Sequence, residues 1–322
     1  KLIEVLRQKG KEDPTLKITI NEETGENLIS GMGELHLEVI ENRIKNDNKL
    51  DIQTGPPIVV YRESIKKKSQ EFEGKSPNKH NKFYMTVEPV PDEIYQAMKA
   101  GEIAEIRIKK KDQTIIDKLR SFGMDAKEAG KYKEFYKGNV FVDNTRGEVH
   151  IGEVIDMVLD GFEEVMNEGP IAREPGFKVL VRLNDIKLHE DAIHRGPAQV
   201  LPAVRESIKL AMLDGQAVLF EPLQVLQLEA PAQFLGEISK LVQNKRGQLM
   251  DVQQEGMHIT VKCKLPVAEM FGLTGDLRSA TEGRGNFYVV DQLFEQIPTE
   301  LQSKVKLQIR QRKGLRMESE FA

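Results

Sequence analysis

Three residues in one short segment have types that could perform chemistry. His189 and Glu190 are followed by His194, an order that invites comparison with the zinc-binding motif H-E-x-x-H of metalloproteases. The spacing does not fit that motif, because the two histidines lie five positions apart and would point about 140° apart on a helix. A His/Glu-dependent metallohydrolase therefore stays an alternative hypothesis that the spacing disfavours.

The elements on either side would hold this segment rigidly. Residues 177–183 alternate between apolar and polar types and predict a strand, whereas apolar residues at helical spacing from Val200 to Met212 predict a helix. Gly196 and Pro197 mark the end of the connection between them. We refer to residues 189–196 as the histidine loop and expect it to bind a partner, since polar loops on rigid supports often carry function.

A second polar loop lies at residues 76–81, between the strands predicted at 58–65 and 83–87, and we call it the 76–81 turn. By itself it is typical of an ordinary hairpin connection. Beside the histidine loop it would form a larger surface with basic or hydrogen-bonding groups such as Lys79, His80 and Arg195. Neither loop has an exposed aromatic side chain for base stacking, so the pair favours contact with phosphates, sugars and the shape of a folded RNA.

Composition narrows the class of protein. The 322 residues are 39% hydrophobic and 30% charged, as in soluble globular proteins, and this length predicts two or three domains. The net charge of −4 does not indicate nucleic-acid binding, which disfavours a general RNA-binding chaperone. One cysteine, Cys263, excludes an intramolecular disulfide and is typical of a cytoplasmic protein. No apolar run is long enough to predict a membrane span.

The sequence predicts no catalytic residue and no metal site. It contains neither a G-x-x-x-x-G-K-[ST] phosphate-binding loop nor the G-x-S-x-G motif of serine hydrolases. Its carboxylates show no spacing that distinguishes an acid/base pair from a solvated surface. The chain starts with Lys1 in the middle of a helical pattern, so we expect a fragment of a longer protein.

The order of predicted elements indicates a multidomain α+β protein. Residues 220–298 follow the order β-α-β-β-α-β, which predicts a ferredoxin-like split βαβ sandwich. Residues 1–57 follow the same plan without its first strand and with a closing strand near 50–54. Residues 58–219 form a longer domain that carries both polar loops. Residues 299–322 contain a helix with a basic face, which we expect to pack back onto the domain of residues 58–219.

Four segments resemble the elongation factor G and elongation factor 2 family of translational GTPases. They are similar to the third-domain signature, the first tip loop of the fourth domain, the loop that carries a modified histidine and the fifth-domain signature, and in this sequence they are Ile29–Glu38, Glu73–Asn81, Leu188–Gly196 and Leu277–Gly285. Eukaryotic members have a glycine run where this chain has Pro197-Ala198, so the resemblance is to the archaeal type.

The resemblance implies a fold and a modified residue. It implies domains III and V, both ferredoxin-like, flanking a domain IV that is similar to ribosomal protein S5. It also implies that His194 is converted to diphthamide and that residues of both loops contact RNA, namely Ser76, Pro77, Asn78, Lys79, His80, Asn81, Asp191, Arg195 and Gly196. The GTPase domain and the domain after it have no counterpart here, so no cofactor is expected in this chain, and GTP and Mg²⁺ would be bound by the missing N-terminal domain.

The resemblance further implies the partners. Domain IV would enter the decoding region of the small ribosomal subunit and support GTP-driven movement of tRNA and mRNA. Domain V would face large-subunit RNA and the stalk base. Diphthamide-synthesis enzymes and the N-terminal GTPase domains in cis are the other expected partners, and we expect a cytoplasmic monomer without a membrane partner.

Overall fold

The computed structural model describes residues 1–20, 27–32, 34–55, 58–145 and 151–316. Helices and several sheets together confirm the α+β class. The chain forms two units, of which unit 1 consists of Lys1–Val59 with Pro222–Leu293, and unit 2 of Val60–Glu221 with Phe294–Ala322. The domain boundaries expected from the sequence stay predictions.

The N-terminal part of unit 1 has two helices and a two-stranded antiparallel sheet. Its elements are α1 (Leu2–Glu12), β1 (Lys17–Ile20), β2 (Asn27–Ser30) and α2 (Glu34–Asn46). The strand predicted near 50–54 is wrong, because these described residues have no regular structure. Leu50 and Ile52 instead pack against the core around Leu6 and Ile44, which accounts for the alternating pattern. The sequence also predicts a turn at 23–26, which lies outside the described residues.

Unit 2 is built on a five-stranded sheet in the order β4-β5-β8-β7-β6, in which β7 and β8 are parallel and the other neighbouring pairs are antiparallel. Both faces of the sheet are covered, one by α6 and α7 and the other by α3 and α4. In chain order the elements of its first segment, Val60–Glu221, are β3 (Arg62–Ile65), β4 (Phe72–Lys75), β5 (Lys82–Pro89), α3 (Asp92–Lys99), α4 (Gln113–Ser121), α5 (Ala126–Ala129), β6 (Tyr132–Tyr136), β7 (Asn139–Asp143), α6 (Ile151–Asn167), β8 (Val179–Lys187) and α7 (Pro197–Asp214).

Several of these elements differ from the sequence prediction. The apolar residues from Ile151 to Met166 keep helical spacing almost throughout, which predicts a long helix, and α6 confirms it. The strand expected at 58–65 is shorter, and β4 and β6 were not predicted. Both missed strands are short and contain charged residues, so they depend on pairing within the sheet more than on their own pattern.

The strands that follow form a further sheet, and helices lie between them in the chain. They are β9 (Ala217–Pro231), α8 (Leu235–Asn244), β10 (Gln248–Glu255), β11 (His258–Pro266), α9 (Leu273–Ala280) and β12 (Asn286–Gln296). The sheet order β10-β11-β9-β12 is that of a split βαβ sandwich, as predicted. Both helices pack on the core that contains Ile238, Val261 and Leu277, and Cys263 is buried in the same core. Within unit 2, the first residues of β9 pair with β3.

The last helix, α10 (Thr299–Arg312), is held on unit 2 by its basic C-terminal end. The Arg310 guanidinium is buried and donates to the carbonyl oxygen of Ile171 at 2.6 Å. The Lys313 ammonium donates to the carbonyl of Ala172 at 3.1 Å. The expected basic face is therefore partly an internal anchor. Within the part of the chain that the structure describes, no helix is long and apolar enough to cross a membrane.

The loop that α10 holds also encloses a buried carboxylate. Glu63 is fully buried, and its carboxylate accepts backbone N–H groups from Ile171, Ala172 and Glu174 at 2.7, 2.8 and 3.0 Å. We call this arrangement the Glu63 clasp. Glu63 lies in β3, the first strand of unit 2, and Arg310 lies in α10, its last described helix. Both side chains bind the loop at residues 171–174, so this loop connects the two ends of the unit.

Candidate functional site

The central sheet brings the two polar loops to the same end of unit 2. Strands β4 and β5 form a hairpin closed by the 76–81 turn. Strand β8 pairs antiparallel with β5, with Lys187 opposite Lys82, so β8 ends where β5 begins. The histidine loop leaves β8 at this point, and the two loops are therefore neighbours although more than a hundred residues of sequence separate them.

The hairpin below the turn packs very closely on α7. A Cβ atom built on Gly74 would lie 1.9 Å from the carbonyl oxygen of Ala203 and 3.0 Å from the Cβ of Ser207. Only glycine allows the β4 backbone to approach the helix this closely. Gly74 thus sets the distance between the hairpin and the helix that follows the histidine loop.

The 76–81 turn is stabilised from within. The Ser76 N–H donates to the Asn81 carbonyl at 2.9 Å, and the Lys79 N–H donates to the Ser76 carbonyl at 2.7 Å. Lys79 has a left-handed backbone with φ of 64°, which exposes its side chain at the apex. Ser76 and Asn81, the first and last residues of the turn, are buried.

The histidine loop has its own internal cap. The Asp191 carboxylate accepts the Ile193 N–H at 3.1 Å and so caps the short 3-10 helix Ala192–His194. The Asp191 N–H in turn donates to Nδ1 of His189 at 3.1 Å. Because Nδ1 is the acceptor, the neutral His189 ring carries its proton on Nε2.

Two amide side chains join one loop to the other. Asn81 accepts the His189 N–H with Oδ1 at 3.0 Å and donates from Nδ2 to the His194 carbonyl at 2.7 Å. Asn78 also donates to the His194 carbonyl, at 3.1 Å. The Asn78 N–H donates to Oε1 of Gln199 at 2.9 Å, so α7 is joined to the same network. The two loops therefore form one site.

Three imidazole rings meet at the surface of this site. The ring centroids of His189 and His194 are 4.4 Å apart, and the His80 ring lies 4.9 Å from His189 and 5.1 Å from His194. His80 is exposed, while His189 and His194 are half-buried. His194 therefore presents part of its ring to solvent and packs the remainder against two other rings.

The lysine side chains around the turn differ in whether they form an ion pair with a carboxylate. Hydrogen bonds from Tyr84, Lys82 and Lys75 lower the pKa of the Glu73 carboxyl to about 2, so it is ionised at neutral pH. Its ion pairs with Lys75 and Lys82 are 3.2 and 3.1 Å long. Lys79 forms no ion pair with any residue that the structure describes, and its charge is available to a phosphate.

The predicted contact residues and His194 divide into three groups by exposure. Pro77, Lys79, His80 and Asp191 are exposed, and Asn78, His194 and Gly196 are half-buried. The other three are buried, namely Ser76, Asn81 and Arg195. This corrects the expectation that Arg195 adds to the exposed basic surface, while contact of these three residues with RNA stays a prediction.

Arg195 shows the physical reason for this correction. Its side chain is only 5% exposed, and its Nη2 lies 2.7 Å from the Glu153 carboxylate at the start of α6. Its Nε and Nη1 find no hydrogen-bond acceptor in the described ranges of the chain. A guanidinium held inside by a carboxylate from another helix supports the loop instead of reaching outward. Sequence reasoning could not find Glu153, because the pair exists only through the packing of α6 beside the loop.

The geometry gives no support to the metallohydrolase alternative. Among the side chains that the structure describes, no group of three or more His, Cys, Asp or Glu residues could hold a metal ion. One lone pair of His189 is already used, since Nδ1 accepts the Asp191 N–H. The Glu190 side chain is exposed.

Comparison with known proteins identifies the family. Three domain families match the chain, namely elongation factor G domain III at residues 1–56, elongation factor G domain IV at 101–216 and the elongation factor G C-terminus at 218–305. Elongation factor 2 of Nanoarchaeum equitans is 53% identical over 325 residues, and that of Thermococcus kodakarensis is 51% identical over 315 residues. The chain belongs to the elongation factor G and elongation factor 2 family.

The match covers the chain much more completely than it covers these relatives. It includes 100% of the chain and 44% of the Nanoarchaeum equitans protein, and 98% of the chain and 43% of the Thermococcus kodakarensis protein. The chain thus spans less than half the length of the curated relatives it matches.

The other family signatures have structural roles in unit 1. In the signature Ile29–Glu38, His36 accepts the Met32 N–H on Nδ1 at 3.1 Å and pairs through Nε2 with the Asp13 carboxylate at 2.8 Å. In the signature Leu277–Gly285, the Thr281 hydroxyl donates to the Leu277 carbonyl at 2.7 Å and accepts the Gly285 N–H at 2.8 Å. The sequence predicts structural roles for His36 and His150. His36 has such a role, whereas His150 and Gly33 lie outside the described residues.

Proposed function

We propose that this chain is the part of a ribosomal translocase, elongation factor 2, that contacts the decoding region during translation elongation. In this proposal the end of unit 2 formed by the 76–81 turn and the histidine loop meets tRNA and mRNA as they move. His194 is the residue converted to diphthamide. The chain performs no catalysis itself, and it acts in the cytoplasm as part of a monomeric factor.

One observation carries the proposal, namely the joining of two distant loops into a single rigid surface. Asn81 and Asn78 hold the His194 carbonyl, so the histidine projects from a support that cannot shift independently of the 76–81 turn. A rigid probe suits a mechanical role, because a contact that gives way would not hold a duplex in place. The exposed Lys79 adds a positive charge that attracts phosphates despite the net charge of −4.

The remaining partners follow from family membership. GTP and Mg²⁺ are proposed to bind a GTPase domain outside this sequence, since the chain has no phosphate-binding loop of the G-x-x-x-x-G-K-[ST] type. The family match at 218–305 supports a role of that region at large-subunit RNA and the stalk base. Diphthamide-synthesis enzymes are the proposed partners of His194.

Two variants test the translocase function in a full-length factor completed with the N-terminal domains of the Nanoarchaeum equitans relative. His194→Ala is expected to raise frameshifting about threefold, and replacing residues 76–81 by a glycine-rich turn should slow translocation about tenfold, because misplaced contacts cost rate steeply. Toeprinting of mRNA movement on reconstituted ribosomes measures both effects. Normal movement and frame maintenance in both variants would contradict the proposal.

A matched control and a metal assay complete the test. His258 lies on an exposed position of β11, and His258→Ala should leave translocation unchanged. Metal analysis of the purified chain distinguishes the alternative function. Stoichiometric zinc that disappears in His194→Ala would favour a metallohydrolase over a translocase.

A further inference from the structure

The carbonyl group of His194 is held by two side chains from the opposite loop. Asn81 donates to it from Nδ2 at 2.7 Å and Asn78 at 3.1 Å. A carbonyl oxygen has two lone pairs, so both are occupied. The backbone of the histidine is therefore positioned by the 76–81 turn and not only by its own loop.

The orientation of both amides is determined by further hydrogen bonds. Oδ1 of Asn81 accepts the His189 N–H at 3.0 Å, and Oδ1 of Asn78 accepts the His80 N–H at 3.1 Å. The Asn81 amide also donates to Oγ of Ser76 at 3.2 Å. Since each oxygen faces an N–H group, each amide nitrogen must face the His194 carbonyl.

Burial makes the Asn81 contact persistent. Asn81 is 0% exposed and Ser76 is 1% exposed, so water cannot replace these bonds without opening the site. With the backbone held, the ring of His194 has little freedom, because the His80 and His189 rings lie 5.1 and 4.4 Å away. His194 is half-buried, so part of the residue stays accessible from outside.

We propose that Asn81, assisted by Asn78, is a positioning residue that presets the pose in which His194 is recognised by its modifying enzymes. The enzymes would then recognise both loops as one folded substrate, and a peptide of the histidine loop alone would be a poor substrate. This proposal rests on the proposed modification of His194. It adds a role for the 76–81 turn that precedes any contact with RNA.

Asn81→Asp tests the proposal with almost no change in size. The carboxylate still accepts the His189 N–H, but it has no N–H to donate and sets an oxygen against the His194 carbonyl. Asn139→Asp is a matched control in unit 2. Asn139 is also 0% exposed, donates to the Gly176 carbonyl at 2.8 Å and accepts the Val179 N–H at 3.1 Å.

Two measurements are made on the full chain of each variant. Co-expression with archaeal diphthamide-synthesis enzymes, followed by mass spectrometry of the peptide 188–205, gives the rate of modification. Nuclear magnetic resonance of the histidine ring signals in unmodified protein reports the pose of His194 independently of the enzymes. Thermal unfolding measures the loss of stability in both variants.

The proposal predicts a difference between the two variants. Asn81→Asp should be modified at least about tenfold more slowly and show shifted His194 ring signals, because displacement of a reacting group lowers rate steeply. Asn139→Asp should lose stability without either effect. Should Asn81→Asp fail to fold, the half-buried Asn78→Asp is expected to give smaller changes in the same direction.

Other outcomes would overturn the proposal or the function on which it rests. Modification at the wild-type rate with unchanged ring signals in Asn81→Asp would overturn the positioning role. Equal losses of modification in Asn139→Asp would do the same, since they would trace to stability alone. If the wild-type chain itself is not modified, the proposed modification of His194 fails, and the ring signals alone decide whether Asn81 sets its pose.

Discussion

Replacing Glu63 with alanine is expected to lower the free energy of unfolding of unit 2 by at least about 3 kcal/mol. The carboxylate satisfies three backbone N–H groups of the 169–174 loop, and each donor left unpaired inside the protein costs about 1–3 kcal/mol. Water cannot readily enter, because Glu63 is fully buried. Chemical denaturation followed by circular dichroism measures the change.

The surroundings of the clasp supply the control for this experiment. Glu174 also touches the clasp, but its buried carboxylate pairs with Lys313 at 2.8 Å and Arg312 at 3.4 Å and not with the backbone of the loop. Glu174→Gln keeps the backbone N–H that Glu63 requires and should cost much less than Glu63→Ala. Equal effects of the two substitutions would show that the Glu63 bonds do not dominate.

The clasp also predicts a pH dependence of stability. Burial raises the pKa of the Glu63 carboxyl from 4.5 to about 7, against the opposing effect of the backbone N–H groups of Ala172, Ile171 and Glu174. Between these two pH values the folded protein retains a proton that the unfolded chain has released. The contribution of Glu63 is therefore fully present below pH 4.5, falls as the pH rises to about 7 and is constant above it.

Glu63→Gln isolates this contribution because the amide does not titrate. The difference in unfolding free energy between wild type and Glu63→Gln should decrease steadily from about pH 4.5 to about pH 7. Titrating groups common to both proteins cancel in this difference. A difference that stays constant across the window would contradict a raised pKa.

Gly74→Ala is expected to be the most disruptive single-methyl substitution near the two loops. The added Cβ would lie 1.9 Å from the backbone oxygen of Ala203, and a backbone atom of a packed helix cannot move aside as a flexible side chain can. Overpacking of this kind costs about 1–3 kcal/mol or more. Strand β4 or helix α7 must shift, so we expect a loss of stability together with altered histidine ring signals.

Gly152→Ala is the matched control for Gly74→Ala. Gly152 lies in α6 of the same unit, and a Cβ built there meets nothing within 4 Å. Alanine has the higher helix propensity by about 1 kcal/mol, so this variant should be as stable as the wild type or more stable. Thermal unfolding of both variants gives the comparison, and a Gly74→Ala protein with wild-type stability would show that β4 and α7 can separate without cost.

Local patterns were sufficient for much of the fold. Helix α6 and the β-α-β-β-α-β order after residue 217 follow from the spacing of apolar residues, which burial on one face imposes. The strand expected at 50–54 failed because Leu50 and Ile52 pack against the core of Leu6 and Ile44 without pairing in any sheet of the described residues. Strands β4 and β6 were missed because sheet pairing, not their own composition, makes them strands.

The sequence by itself determined the family resemblance, the polar loops and the choice of His194 as the candidate modified residue, since these depend on residue types at short spacing. Only the tertiary structure decided which side chains face outward and which hold the site together. Asn81 and His194 are 113 positions apart, and Arg195 meets Glu153 of another helix. Such partners are set by how strands and helices pack, and no local pattern encodes the distance between two segments that meet only after folding.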